Sequence, residues 1–435
     1  MNIDNEILNL INNVGDNFPI LNYVYNGKKF DPDKSWIYYS GPFWDQQELV
    51  AAIRALLTGK WISSGENVHK FEIEFCKKNK QGYGVMVNSG SSADLLLIAS
   101  LKKYFGWKDN DEIIISPSGF PSTLSAITIN NLKPIFVDIE FETLNFDLNL
   151  IEEKITKNTR GIFVSPILGN PPDFDNLIDI CEKFNLKLIL DNCDSMGSEW
   201  NGKLLNEYAI ASAYSFYPAH HISTGEGGLI SSNIKEIVDI ARSMAWWGRD
   251  CYCVGSANIL PNGTCQKRFG KWLAPVYNEV MDHKYFFTQN SFNLKPLDLQ
   301  GAIGLVQLSK LDEIHEKRKI NKERISNIFL KNIPTLKVPF KYELADVSWF
   351  GTPFICESKE QKQELVVFLE KNRIQTRNYF SGSLLLHPAY SFLDDYKKYP
   401  NSNKVLDLVF FIGCHPAYDE TIFDYIENIL KGYKN

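Results

Sequence analysis

The chain lacks any apolar run approaching the roughly 20 residues that a bilayer-spanning helix needs, so no transmembrane segment is expected. Its opening residues, MNIDNEILNLINNVGDNF, have neither a basic leader nor a long apolar stretch, which predicts no secretory signal and a cytoplasmic location. A basic excess is missing too: 46 Lys and Arg against 52 Asp and Glu leave a formal net charge of −6. That balance carries no electrostatic footprint for nucleic acid or an anionic membrane, and an anionic substrate would need a local pocket. No repeat of fixed period and no Gly- or Ser-rich linker breaks the sequence. Cysteine is limited to eight residues, and in a cytosolic chain of this length clustered ones more often bind metal or stay reduced than form disulfides.

What is present describes an ordinary globular protein, with 44% hydrophobic, 13% aromatic and 23% charged residues. A length of 435 residues calls for a large core domain and a smaller terminal one, and the pattern places the division near residue 315. On that reading, 1–315 is an N-terminal segment plus the large domain and 316–435 a small α+β domain. Apolar residues at helical spacing predict helices over 45–58 and 68–79. From residue 84 short apolar runs alternate with helical stretches: VMVNSGSSADLLLIASL, EIIISPSGFPS, PIFVDI, GIFVSPI, KLILDNCDS and ASAYSFYP. The alternation predicts βαβ units and an α/β fold with a mostly parallel sheet. Residues 245–272 read as a long irregular loop and 297–330 as one long helix.

In such sheets ligands bind beyond the carboxyl ends of the strands, so the polar residues after each apolar run carry the functional signal. Asn88-Ser89-Gly90-Ser91-Ser92-Ala93 places hydroxyls and backbone N–H groups at a helix start, which suits a phosphate or, equally, a plain Ser-rich cap. Asp191 ends the strand KLIL, where a carboxylate can pair with a protonated pyridine nitrogen or serve as a turn residue. The segment 215–228, SFYPAHHISTGEGG, supplies a hydroxyl, two adjacent histidines and a glycine turn.

Together NSGSSA, Gly119-Phe120-Pro121-Ser122-Thr123, DNCDSMGS, SFYPAHHISTGEGG and Phe292-Asn293-Leu294-Lys295-Pro296 followed by DLQ resemble the nucleotide-sugar aminotransferase and dehydratase family, over about residues 45–435. The resemblance implies the fold-type I architecture of pyridoxal-phosphate enzymes and a homodimer with active sites between subunits. Gly90, Ser91 and Ser215 then match positions that contact the cofactor phosphate, and Phe120 the aromatic stacked on its ring. Asp191 matches the partner of the ring nitrogen. Asn293 matches a residue given to the phosphate by the other subunit, and Arg377 falls in a region facing the sugar nucleotide. Asp194 stands where many relatives have glutamine near the ring hydroxyl.

The departure is at position 220. Aminotransferases of the family carry there the lysine that tethers the cofactor covalently, and this chain has His220. That substitution resembles the family's 3-dehydratases, which use pyridoxamine 5'-phosphate (PMP) on a nucleotide-linked 4-keto-6-deoxyhexose. It implies that His220 is the base, since an imidazole of ordinary pKa, ~6.5, moves protons without a tether. His221 reads as a neighbour that shapes the loop.

Cys193, Cys251 after 57 intervening residues, and Cys253 after one more resemble the ligand pattern of the family's iron–sulfur 3-dehydratase of a CDP-linked sugar. The fourth position of that pattern falls on Pro261 here, and Cys265 follows four residues later in NGTCQKRF, as a loop insertion would leave it. The resemblance implies a [2Fe–2S] cluster on Cys193, Cys251, Cys253 and Cys265, and an NADH-dependent flavin and iron–sulfur reductase as partner. The expected role is C3 deoxygenation toward a 3,6-dideoxysugar of a bacterial surface glycan. Zinc or free thiols are the alternatives for the cysteines. For the whole chain, the alternatives are a cluster-free GDP-4-keto-6-deoxymannose 3-dehydratase type and a non-catalytic sugar-nucleotide binder. Cys76, Cys181, Cys356 and Cys414, in apolar surroundings, read as core.

Overall fold

A computed structural model describes residues 3–14, 30–250 and 268–433. Helix α1 (Ile3–Val14) packs Ile7 and Ile11 inward beside α2 (Gln46–Thr58), which is followed by α3 (Glu66–Lys78). The start of α2 is fixed by a reciprocal cap: the Asp45 carboxylate accepts from Gln47 N at 2.7 Å, and Asp45 N donates to Glu48 at 2.8 Å.

Seven strands form the central sheet: β1 (Tyr83–Val87), β2 (Glu112–Ile115), β3 (Lys133–Phe136), β4 (Thr159–Val164), β5 (Lys187–Asp191), β6 (Ala211–Ser215) and β7 (Gly228–Ser232). Their order is β1-β7-β6-β5-β4-β2-β3. All pairings from β6 to β3 are parallel, and β7 runs antiparallel to both neighbours. The sheet is buried on both faces, which is why its strands read as continuous apolar runs. Successive residues alternate between two cores. Ile114, Ile162, Leu188 and Leu190 join one with α6 (Phe174–Lys183), while Ile113, Phe163 and Ile189 join the other. That second face is covered by α4 (Gly90–Phe105), α5 (Pro121–Ile129) and α7 (Lys235–Ala245).

The single helix expected over 297–330 is two, α8 (Asp298–Ser309) and α9 (Leu311–Asn332), meeting at Lys310. Lys310 N bonds Gln307 O at 3.0 Å, and its ammonium reaches Glu48 at 2.7 Å and Asp45 at 3.0 Å. Tertiary pairing to α2 fixes the break, while helix-forming residues continue through it. Beyond α9, β8 (Thr352–Ile355), α10 (Lys359–Lys371), β9 (Thr376–Asn378), α11 (Pro400–Leu408), β10 (Val409–Ile412) and α12 (Glu420–Lys431) follow. The three strands make an antiparallel sheet ordered β8-β10-β9.

Among the described residues no helix is long and apolar enough to cross a membrane. Of the loop expected over 245–272, residues 251–267, with Cys251, Cys253 and Cys265, lie outside the described residues. The residues flanking that stretch converge: the Asp250 carboxylate lies 3.3 Å from His283 Nε2, and His283 N donates to Arg268 O at 2.7 Å.

Candidate active site

A cavity of about 360 Å³ opens beyond the carboxyl ends of the parallel strands. At one end, β1 leads into α4 through Ser89, whose hydroxyl accepts from Ser92 N at 3.1 Å. The first-turn N–H groups that no helical carbonyl can take, those of Gly90 and Ser91, sit at the cavity wall. Ser215, the last residue of β6, closes this end so tightly that a Cβ on Gly90 would lie 2.4 Å from the Ser215 Cβ. The result is a cradle of small groups and N–H donors that suits a phosphate.

At the opposite end Asp191 finishes β5, 3% exposed, accepting from Thr123 Oγ1 at 2.7 Å and from Cys193 N at 3.1 Å. No lysine or arginine among the described residues pairs with it. A carboxylate oxygen of fully buried Asp94, one of Asp191 and the Cys193 Sγ lie within 4.8 Å of one another. Burial, then the Asp191 charge, pushes the Asp94 pKa well above the carboxylate range, while Ser122 Oγ donates to it at 2.9 Å. Buried carboxylates of this kind require a cation or a proton. A protonated pyridine nitrogen supplies one, with its phosphate in the α4 cradle, so the residues present fit pyridoxal or pyridoxamine phosphate. No lysine lines the cavity among the described residues.

His220 lies between these ends, on the turn after β6. The turn is fixed by His220 N donating to Tyr217 O at 3.0 Å and by Arg318 of α9 donating to His220 O at 3.4 Å. Its ring packs 5.2 Å from that of Phe350, and Nδ1 faces Asp194 Oδ1 at 3.5 Å. The ordinary titration expected from sequence is not what this setting gives. Burial, then the Arg318 charge, pushes the His220 pKa down to about 3, with the Cys193 backbone opposing. Asp194 is pushed up to about 8 by burial and then by Asp191. At neutral pH a neutral imidazole therefore stands beside a neutral carboxyl, with Nδ1 free of any hydrogen bond. His221 turns away from the cavity, its Nε2 3.0 Å from Ser348 O.

The cavity thus gathers Gly90, Ser91, Phe120, Asp191, Asp194, Ser215 and His220, together with Cys193. Two expected residues lie outside its lining. Asn293 sits beside the cradle, on a stretch whose Leu294 carbonyl accepts from Asn88 N at 2.9 Å. Arg377 is one layer out, its guanidinium 4.2 Å from the Tyr39 ring, and Tyr39 is itself a wall residue. Sequence reasoning missed Asp94, Tyr39, Phe350 and Phe380. Only Asp94 left a signal, a carboxylate inside the apolar stretch that follows NSGSSA. Cys193 is the one member of the four-cysteine set among the described residues. Burial and the charges of Asp191 and Asp94 push its thiol pKa well up, so an ionised sulfur here needs a metal-sized positive charge.

Sheet order, cradle and buried aspartate define an α/β protein of the fold-type I pyridoxal-phosphate class, and among the described residues no lysine lines its cavity. The family is defined by a sequence profile matching residues 44–431: the chain belongs to the DegT/DnrJ/EryC1/StrS aminotransferase family. It is 36% identical over 402 residues to a dTDP-4-dehydro-2,6-dideoxy-D-glucose 3-dehydratase of Saccharopolyspora spinosa, covering 89% of this chain and 84% of that one. With the lipopolysaccharide biosynthesis protein RfbH of Salmonella typhimurium it shares 34% over 418 residues, 93% of each chain. The solved structure of Escherichia coli GDP-4-keto-6-deoxy-D-mannose-3-dehydratase with bound hydrated PLP matches with a TM-score of 0.78 at 29% identity, covering 91% of this chain and 99% of that one.

Proposed function

We propose that this protein removes the 3-hydroxyl from a nucleotide-linked 4-keto-deoxyhexose with pyridoxamine phosphate as cofactor, and that His220 is the proton carrier. The observation that carries the reading is His220 standing, its Nδ1 free of a hydrogen bond, in a cavity that no lysine lines among the described residues, with a phosphate cradle at one end and a buried aspartate at the other. Bound there, the cofactor supplies an amine for the sugar's C4 ketone and a conjugated ring that takes up electrons as the C3 hydroxyl leaves.

The chain's own residues do the rest. Asp191 holds the ring N–H and keeps its positive charge in place, and the N–H groups of Gly90 and Ser91 with the Ser215 hydroxyl hold the phosphate. Phe120 packs on the ring. His220 takes the proton from the cofactor's C4' carbon and can return it, with the Asp194 carboxyl standing beside Nδ1. Tyr39, Phe350 and Phe380 wall the site against water.

The finer reading is a CDP-linked 4-keto-6-deoxyhexose as substrate and a [2Fe–2S] cluster on Cys193, Cys251, Cys253 and Cys265. The cluster would supply single electrons that arrive from an NADH-dependent flavin and iron–sulfur reductase. The cysteine spacing supports it, and so does the opening of Cys193 onto the cavity. The same reading makes the protein a cytoplasmic homodimer serving lipopolysaccharide-type deoxysugar synthesis, with Asn293 given to the neighbouring cavity. In support, Asn293 lies outside its own cavity and Trp61, Ile62, Phe292 and Leu297 nearby are exposed. A cluster-free second reading is favoured by the structural match to the GDP-sugar enzyme.

Full-length protein, reconstituted anaerobically with iron, sulfide and PMP, tests this. It is expected to hold about two irons per chain. With a reductase and NADH it should convert a CDP-linked keto-sugar to the 3-deoxy product. Iron-free protein that turns over GDP-linked sugar with glutamate alone would establish the second reading. No turnover of CDP-, dTDP- or GDP-linked substrate by either route would refute dehydration.

A further inference from the structure

The inward face of α9 carries polar residues where a helix packed on a core is expected to carry apolar ones. Ile314, Arg318, Asn321, Lys322 and Ile325 recur at helical spacing and are all buried. Arg318 is the extreme case: it is 1% exposed, and no carboxylate forms an ion pair with it among the described residues. Burial pushes its pKa below the ordinary arginine value, which registers the cost of keeping the charge there. An apolar side chain of similar volume would hold α9 to this core at less cost. The guanidinium is therefore explained by the bonds it makes.

Those bonds join two separate stretches of chain. Nη1 of Arg318 donates to Phe350 O at 2.9 Å and to Trp349 O at 3.4 Å, while Nη2 donates to His220 O at 3.4 Å. A planar fork of fixed donors can span two segments in this way, and a single ammonium cannot. One segment is the turn after β6, and the other leads into β8. Each contributes a wall of the cavity, and the rings of His220 and Phe350 pack 5.2 Å apart. Beyond its contacts with the Cys193 backbone and Asp194, the imidazole is placed by the chain beneath it and by Phe350 beside it. Arg318 holds both. The turn has other anchors for its folding: Ser40 Oγ donates to Ala219 O at 2.7 Å, and His221 Nε2 stands 3.0 Å from Ser348 O.

We propose that Arg318 is a positioning residue for the proton transfer, its guanidinium locking the His220 turn to the Phe350 segment and so fixing where the imidazole stands in the cavity. It touches neither cofactor nor substrate and acts through His220. The proposal rests on the reading of His220 as proton carrier and specifies what holds that carrier in place.

Arg318→Met and Arg318→Lys are made in the full-length protein. Each is read by kcat and KM on whichever CDP-, dTDP- or GDP-linked keto-sugar the wild type dehydrates, by PMP affinity from calorimetry, and by a crystal structure. A reacting group misplaced by about 1 Å costs about 100-fold in rate. Arg318→Met is therefore expected to lose about 100-fold in kcat, with KM and PMP affinity within a few-fold of the wild type. Arg318→Lys keeps the charge but reaches only one of the two segments, and should recover part of that loss, to about tenfold below the wild type. In both crystal structures the His220 ring leaves its place 5.2 Å from Phe350. Should Arg318→Met not fold, Arg318→Lys decides by the same readings. Unchanged kcat overturns the proposal, and so does a His220 ring that has not moved. PMP affinity that falls as far as kcat also overturns it, by making Arg318 a merely structural residue. A wild type that dehydrates no nucleotide sugar, with the ring displaced in the variants, would sink the function and leave the clamp standing.

Discussion

Replacing His220 with asparagine removes the imidazole while leaving the turn that carries it. That turn is fixed through main-chain atoms, His220 N to Tyr217 O at 3.0 Å and Arg318 to His220 O at 3.4 Å, and asparagine keeps both. What is lost is the ring against Phe350 and the nitrogen facing Asp194. Neither contact reaches the cradle of Gly90 and Ser91 or the Asp191 carboxylate, so PMP affinity should stay within a few-fold of the wild type. The loss of a positioned general base is worth about 100- to 10,000-fold in rate, or ~2.7–5.5 kcal/mol of barrier. The assay pairs product mass spectrometry on cofactor-loaded protein with a PMP titration, and adds deuterium exchange at the cofactor's C4' carbon. Turnover and exchange should fall together while binding holds. Undiminished turnover would remove His220 from the chemistry, and a PMP affinity that fell as far as turnover would make it a binding residue.

Three further outcomes follow from the same geometry. Asp191→Asn replaces a buried carboxylate with a neutral amide opposite the ring nitrogen, so PMP affinity is expected to fall about 10- to 100-fold, the worth of a charge-assisted hydrogen bond; an unchanged titration would contradict the placement of the ring. Arg242→Met strands the Glu72 carboxylate, whose side chain is 5% exposed and 2.9 Å from Arg242, and breaking a buried pair costs about 3–5 kcal/mol. Denaturant unfolding reads this, and the double variant with Glu72→Gln should recover part of it. His415 accepts from Ala417 N at Nδ1, at 3.1 Å, while Nε2 faces Gly41 O at 3.0 Å, so the ring is folded neutral. Burial pushes its pKa from 6.5 down to about 3. The stability it contributes is therefore present above pH 6.5 and lost as pH falls toward 3, at ~1.4 kcal/mol per pH unit. His415→Asn should make the acid limb of the stability curve shallower by about one proton, and an unaltered slope would show that His415 charges in the fold.

How much of this was legible in the chain follows from where each signal lies. Parallel strands buried on both faces have to be apolar along their length, so KLIL and VMV announce themselves, and the polar residues that follow have to stand at the ligand-binding edge. That is why Gly90, Asp191, Ser215 and His220 could be picked out and why they converge. The break at Lys310 left no such trace, because Glu48 and Asp45 impose it from a helix some 260 residues away in sequence. Tyr39, Phe350 and Phe380 come from chain segments with no pattern of their own and are brought to the cavity only by the packing of the terminal sheet. The division near residue 315 remains a proposal, readable by limited proteolysis. The largest gap concerns His220 itself. Its identity and place were visible, but its protonation state depends on desolvation and on Arg318, 98 residues later on α9. Sequence can show that an imidazole stands where a tethering amine would. Whether that imidazole waits as a free base is decided by its burial first and then by the charge behind it, the Arg318 guanidinium, and both keep the proton off His220.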